Sequence, residues 1–155
     1  MKLAVFSQAA SPDEHAVVAA ARAHFAADVR FVERTYRDGG ARLVATLGDA
    51  RFTIEVRAAT DEDHARAARA AATGRAGGMD LLAKRCPTLW EIETDADDRA
   101  TWTFAAILAL ALLGPVMPDD ESTLVGVRGA RARGALDRPI SGPFAPGSSF
   151  ATIQT

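Results

Sequence analysis

TWTFAAILALALL, residues 101–113, is thirteen residues without a charge, eleven of them apolar. Asp97, Asp98 and Arg99 stand just before it, and Gly114-Pro115 follows it. Wound as a helix, its apolar positions cover every direction instead of one stripe, the pattern of a helix surrounded on all sides. A bilayer span takes about 20 apolar residues, and Pro115 followed by Asp119, Asp120 and Glu121 stops this one short. The stretch therefore predicts the central buried helix of a small soluble domain, and no membrane insertion.

Around that helix the chain reads as sheet. Leu3–Phe6 is a short apolar run suited to a central strand. Ser11, Pro12 and Glu14 fit the N-cap, N1 and N3 positions of a helix running to about Ala27, with Val17, Ala21 and Phe25 on its buried stripe. Residues 29–57 read as three antiparallel strands, Val29–Tyr36, Leu43–Leu47 and Arg51–Arg57, separated by turn signals at Asp38-Gly39-Gly40 and Gly48-Asp49. Thr60 opens a second helix with Asp61, Glu62 and Asp63 in its first turn, where the helix dipole favours acid. Gly74, Gly77 and Gly78 break that helix, and a short helical turn at Met79–Arg85 follows. Thr88–Glu93 alternates, with Trp90 and Ile92 opposed to Leu89, Glu91 and Glu93. Another short strand is expected at Thr123–Val127. The sum is an α+β fold, a two-layer sandwich of mostly antiparallel sheet with helices packed on one face. It predicts a single domain over 1–127 and, over 128–155, a basic then Gly/Pro/Ser-rich tail, poorly ordered or loosely docked.

Composition limits the function. With 155 residues, 48% hydrophobic and 25% charged, the chain can bury a core unaided. The net charge of -2 is uneven. Residues 128–155 hold four arginines against Asp137, leaving the rest with 14 basic and 19 acidic groups. An acidic body argues against nucleic acid, whose binding rests on neutralised phosphates. Cys86 is the single cysteine, which excludes an internal disulfide and suits a reducing compartment. Only four apolar residues follow Lys2, so no signal peptide is read and the cytoplasm is expected.

Motifs of chemistry are sparse. His15 and His24 point to opposite sides of one helix, and His64 lies in another, so ligand spacing is lacking. Asp61-Glu62-Asp63 suits a helix start, and Asp119-Asp120-Glu121 lacks the glycine and alternation of a calcium loop. Met79, Leu82 and Cys86 share an apolar face, which makes Cys86 a core thiol rather than a nucleophile. Gly74–Gly78 lacks the Gly-Lys-Ser/Thr ending of a phosphate loop. No cofactor and no metal site is expected.

One surface stands out. In residues 51–57, Phe52, Ile54 and Val56 point one way, while Arg51, Thr53, Glu55 and Arg57 point the other. Regular alternation in residues 29–36 adds Arg30, Arg34 and Tyr36 to the outward face. Arginine and tyrosine are enriched in protein interfaces, so Arg34, Tyr36, Arg51, Glu55 and Arg57 are the candidate partner-binding residues. A positive patch on an acidic body points to another protein, an acidic one, as the partner. A second copy of the chain stays open as another.

The segment WTFAAILALALLGPVMPDDESTL, through Gly114, Val116, Pro118 and Asp119, resembles the ending of an uncharacterised family of small bacterial domains. That resemblance implies a bacterial origin and no particular activity. Two functions are consistent with the sequence. The favoured one is a non-enzymatic interaction module, adaptor or immunity-like, that binds through its sheet face or edge. The alternative is a small divalent-metal-dependent enzyme assembled from Glu91, Asp119, Asp120 and a histidine.

Overall fold

The computed structural model describes residues 1–136. In chain order its elements are β1 (Lys2–Ser7), α1 (Glu14–Phe25), β2 (Val29–Arg37), β3 (Gly40–Leu47), β4 (Ala50–Ala58) and α2 (Asp61–Thr73). They continue with α3 (Met79–Lys84), β5 (Thr88–Glu93), α4 (Asp98–Leu112), β6 (Val116–Pro118) and α5 (Val127–Leu136). The strands form one antiparallel sheet in the order β2-β3-β4-β5-β1-β6. The fold is α+β.

The charge-free stretch is α4, and its surroundings explain its composition. Asp97 caps it, its carboxylate accepting from the Ala100 N–H at 2.8 Å. Trp102, Phe104, Ala105, Ile107, Leu108 and Leu112 are all buried, in one cluster with Val5, Leu43, Phe52, Ile54, Trp90 and Ile92 from the sheet and Val17 and Ala21 from α1. Phe104 stacks on Phe52 with ring centroids 4.1 Å apart. α5 closes the remaining side: Ala130 is fully buried, and the Arg133 guanidinium lies 4.8 Å from the centre of the Trp102 ring. With sheet, α1 and α5 around it, α4 has little surface left for water.

The chain leaves α4 through Leu113, in the left-handed conformation, and Gly114. A Cβ at Gly114 would collide with the Phe6 carbonyl oxygen. The missing side chain lets the strand pass close to β1, where Phe6 N–H donates to the Pro115 carbonyl at 3.0 Å. Val116–Pro118 then pairs with Val5–Leu3 as β6. Three residues are too few for a sequence pattern, and β6 was not anticipated. The strand expected at Thr123–Val127 reduces to one bridge, Val125 to Val116.

Two boundaries also move. The cap of α1 is Asp13, not Ser11; its carboxylate accepts from Ala16 N–H at 3.1 Å, which puts Pro12 before the cap. Residues 128–136, assigned to the tail by sequence, belong to α5, which docks on α4 and on α1, where Arg131 donates to the His24 carbonyl at 3.0 Å and covers the Phe25 ring. Two glycines and three arginines hid its period. The expectation for 137–155 falls outside the described residues.

The helices divide between the sheet's faces. α1, α4 and α5 lie on one. On the other, α2 and α3 set Ala67, Ala70, Ala71 and Ala83 against Ala4, Phe6, Leu89 and Met117. β1 is apolar on both faces, which is why its sequence is a continuous apolar run. At the β2–β3–β4 end the second face carries none of the helices of the described residues.

Candidate functional site

The bare half-face is set by strand parity. β3 sends Ala41, Leu43 and Ala45 into the core, so Arg42, Val44 and Thr46 point to the bare side. On β4 the alternation read from sequence holds, placing Arg51, Thr53, Glu55 and Arg57 there. β2 departs from it. A bulge between Phe31 and Glu33 shifts its register, so Arg34 pairs with core-facing Leu43 and Tyr36 with core-facing Ala41. Cross-strand partners share a face. Arg34 and Tyr36 therefore sit on the helix side, and Glu33, Thr35 and Arg37 take the bare side. The five candidates split into Arg51, Glu55 and Arg57 on one face and Arg34 and Tyr36 on the other. A bulge adds one residue that composition does not mark.

On the helix side, Arg34 holds the Glu14 carboxylate with two hydrogen bonds, at 2.8 and 2.6 Å, and the Tyr36 hydroxyl donates to the same group at 3.3 Å. The hydrogen bond from Arg34 is the main reason the Glu14 pKa is lowered. This triad ties the start of α1 to the edge strand.

The arginines of the bare face are also paired. Arg51 donates to Glu33 at 2.9 Å, and Arg37 to Glu55 at 3.2 Å. Arg42 lies 3.6 Å from the second oxygen of Glu55. Arg57 donates to both oxygens of Asp63, at 2.6 and 3.0 Å, and to Glu91 at 3.0 Å. Asp63 is the N3 residue of the α2 capping box and receives the Thr60 N–H at 2.8 Å and the Thr60 hydroxyl at 3.0 Å. Burial would raise the Asp63 pKa, but the hydrogen bonds from Arg57 and Thr60 outweigh it and bring it to about 2. Arg57 is thus a clamp holding α2 to the sheet, and the expected free patch of three arginines does not exist.

The available surface centres elsewhere. A cavity of about 370 Å³ opens over the sheet beside α2, with Lys2, Arg42, Thr53, Glu55, Glu91 and Arg66 among its lining. A second, of about 500 Å³, adjoins it along Asp49–Arg51 and Thr94–Ala96. The two share Arg42, Thr53 and Glu93. In the first cavity Glu55 lies directly opposite Glu91, a like-charge pair that costs stability unless countered. Arg37 and Arg42 counter one carboxylate and Arg57 the other. The side chains of Arg37, Arg42 and Arg51 are 54%, 55% and 59% exposed, so each guanidinium retains an edge toward solvent. Sequence reading passed over Arg42, though its place between Ala41 and Leu43 signals it. Arg66 gave no signal, because it reaches the site through the packing of α2.

Of the residues of the metal-enzyme alternative, Glu91 and Asp119 both line the first cavity, while Asp120 and the histidines are not part of its lining. Glu91 is held by Arg57. Asp120 accepts from the Ser122 N–H at 3.0 Å, and His64 bonds the Cys86 carbonyl at 3.0 Å while stacking on Phe6. Among the described residues no three His, Cys, Asp or Glu side chains come together in a group that could hold a metal ion. Cys86 is a buried thiol whose pKa burial pushes up to about 11. No helix of the described residues is long and apolar enough to cross a membrane. No family model, curated protein or solved structure matches this chain.

Proposed function

We propose that this chain is a non-enzymatic protein-interaction module that receives its partner on the bare half of the sheet. What supports the reading is a single observation: a half-face that no helix of the described residues covers, on which two cavities meet at Arg42, Thr53 and Glu93. Such a surface offers relief for side chains to enter and charges at fixed spacing. Arg37, Arg42 and Arg51 each use one edge on a glutamate and can take a second carboxylate on the other. The partner therefore presents acidic side chains, and selectivity rests on matching alternating charges rather than on a broad positive field.

A photo-cross-linking residue at Thr53, used in cells of the source, tests this. The expected result is one dominant cross-linked protein, lost when Arg42 and Arg51 are both changed to glutamate and retained with Arg34→Glu, which alters the opposite face. Equal cross-linking in the two variants would overturn the assignment of this face.

A further inference from the structure

We infer that β2 is a self-pairing edge, through which two copies of this chain join their sheets about a twofold axis. The seam is the backbone edge of β2 and shares only Arg37 with the partner surface proposed above, so the pairing does not depend on that function.

The two edges of the sheet differ. At one, β6 has three residues, ends in Pro118, and is bridged on its outer side by Val125. Proline has no N–H to donate, and the bridge occupies Val116 on both backbone groups. At the other, β2 has nine residues and, among the described residues, pairs only with β3. Val32 and Tyr36, two of the five exposed large hydrophobic residues described, are on this strand, at 47% and 61% exposure. With one open edge among the described residues, copies of the chain can pair it only with the same edge of another copy, which gives a closed dimer and not a filament.

Parity selects the register. Arg37 and Gly40 close the two-residue turn at Asp38-Gly39 and exchange hydrogen bonds. Bonded pairs alternate along an antiparallel ladder, so Thr35 and Glu33 also direct their backbone groups to β3, and Arg34 and Tyr36 direct theirs outward. In a twofold antiparallel pair, facing residues must share a sheet face. Centring on Thr35 sets Arg34 against Tyr36 of the second copy, both outward-bonding and both on the helix side. It sets Glu33 against Arg37 of the second copy, both on the bare side. Each contact occurs twice. Centring on Arg34 would oppose two arginines, and centring on Glu33 would oppose two glutamates. Thr35 is the centre at which cation meets aromatic ring and acid meets base. The bulge at Val32 ends the match beyond Glu33, so the pairing is short and the dimer weak. Joined this way, the two bare half-faces lie side by side.

The test is sedimentation of the full chain from about 1 µM to about 1 mM, the range of a small interface. A monomer–dimer equilibrium is expected. Arg37→Glu should weaken it about tenfold, since two attractive cross-strand pairs become repulsive. Adding Glu33→Arg to that variant restores opposite charges in the swapped sense and should return the association to near its original strength. Thr35→Cys should give a disulfide-linked dimer on mild oxidation, because the two Thr35 face each other and Cys86 is buried. Asp38→Cys, in the turn, should not. Thermal melting of each variant separates loss of pairing from loss of fold. A folded chain that stays monomeric throughout, or a charge swap that fails to restore association, would overturn the inference. Equal disulfide cross-linking in the Thr35→Cys and Asp38→Cys variants would place the contact elsewhere and overturn it too.

Discussion

Replacing Arg57 by methionine removes the clamp on Asp63 and keeps the length of the stem. The Asp63 side chain is 3% exposed and would retain the two Thr60 donors, with Arg66 at 3.5 Å. Moving this carboxyl from its ordinary 3.8 to about 2 corresponds to about 2.4 kcal/mol of folding free energy. Part of that comes from Thr60 and survives. Against it, a buried charge that loses one partner costs about 3–5 kcal/mol when nothing else holds it. The remaining donors put Arg57→Met near the lower figure, at about 2–3 kcal/mol at neutral pH. The sign follows from the lowered pKa. The stabilisation is fully present above the unfolded pKa near 4 and is lost as pH falls through about 2. The gap between wild type and variant should therefore narrow across that window, as Asp63 takes up a proton in both. Urea unfolding at pH 7 and pH 2.5, with Asp63→Asn and the double variant completing a thermodynamic cycle, measures it. A loss below about 0.5 kcal/mol at pH 7, or one equal at both pH values, would refute the clamp.

Ile107→Asp should abolish folding, because it places an unpaired charge at a fully buried position of α4; circular dichroism of refolded material would show it. Gly114→Ala should cost at least about 3 kcal/mol by thermal melting, since its Cβ meets backbone and not a movable side chain. Thr60→Ala removes the cap of α2 and a donor to Asp63, and should lower stability by about 1–2 kcal/mol in urea. Arg51→Glu, on the bare face, should change stability by less than about 1 kcal/mol, as its pair with Glu33 is exposed on both sides.

What the sequence could disclose follows the range of the forces concerned. α4 was legible because a charge-free run, a capping aspartate and a terminal Gly-Pro are all local signals. The pattern of β4 and β5 was legible because a buried face imposes a period of two on neighbouring residues. The position of Arg34 was not, since the bulge at Val32 depends on how β2 meets β3. Nor was the occupation of Arg57. Thr60 and Asp63 announced a helix start, but nothing local told that this start would rest on the side chain of β4. Arg66 and Glu121 meet at 2.8 Å across 55 residues; only the folded chain brings them together. The second helical layer was missed for a related reason: alanines at 67, 70 and 71 look like filler until Phe6 and Leu89 are seen beneath them.

That alanine contact has a consequence for motion. A buried alanine adds one methyl group, on the order of 0.8 kcal/mol, where a leucine would add two to three times as much. α2 is thus seated on the sheet by little apolar area and, to a large degree, by the charges of Asp63, Arg57, Arg66 and Glu121. Units held in this way open at a lower free energy than the core beneath them. The amides of α2 should exchange with solvent while α4 is still protected, and added salt or acid should widen the difference. If α2 exchanges first, the same sheet would have a lasting layer on one side and, on the other, a cover able to lift without the molecule unfolding. Each lifting would expose Phe6, Leu89 and Met117 beside the bare half-face and give the polar surface an apolar extension for part of the time.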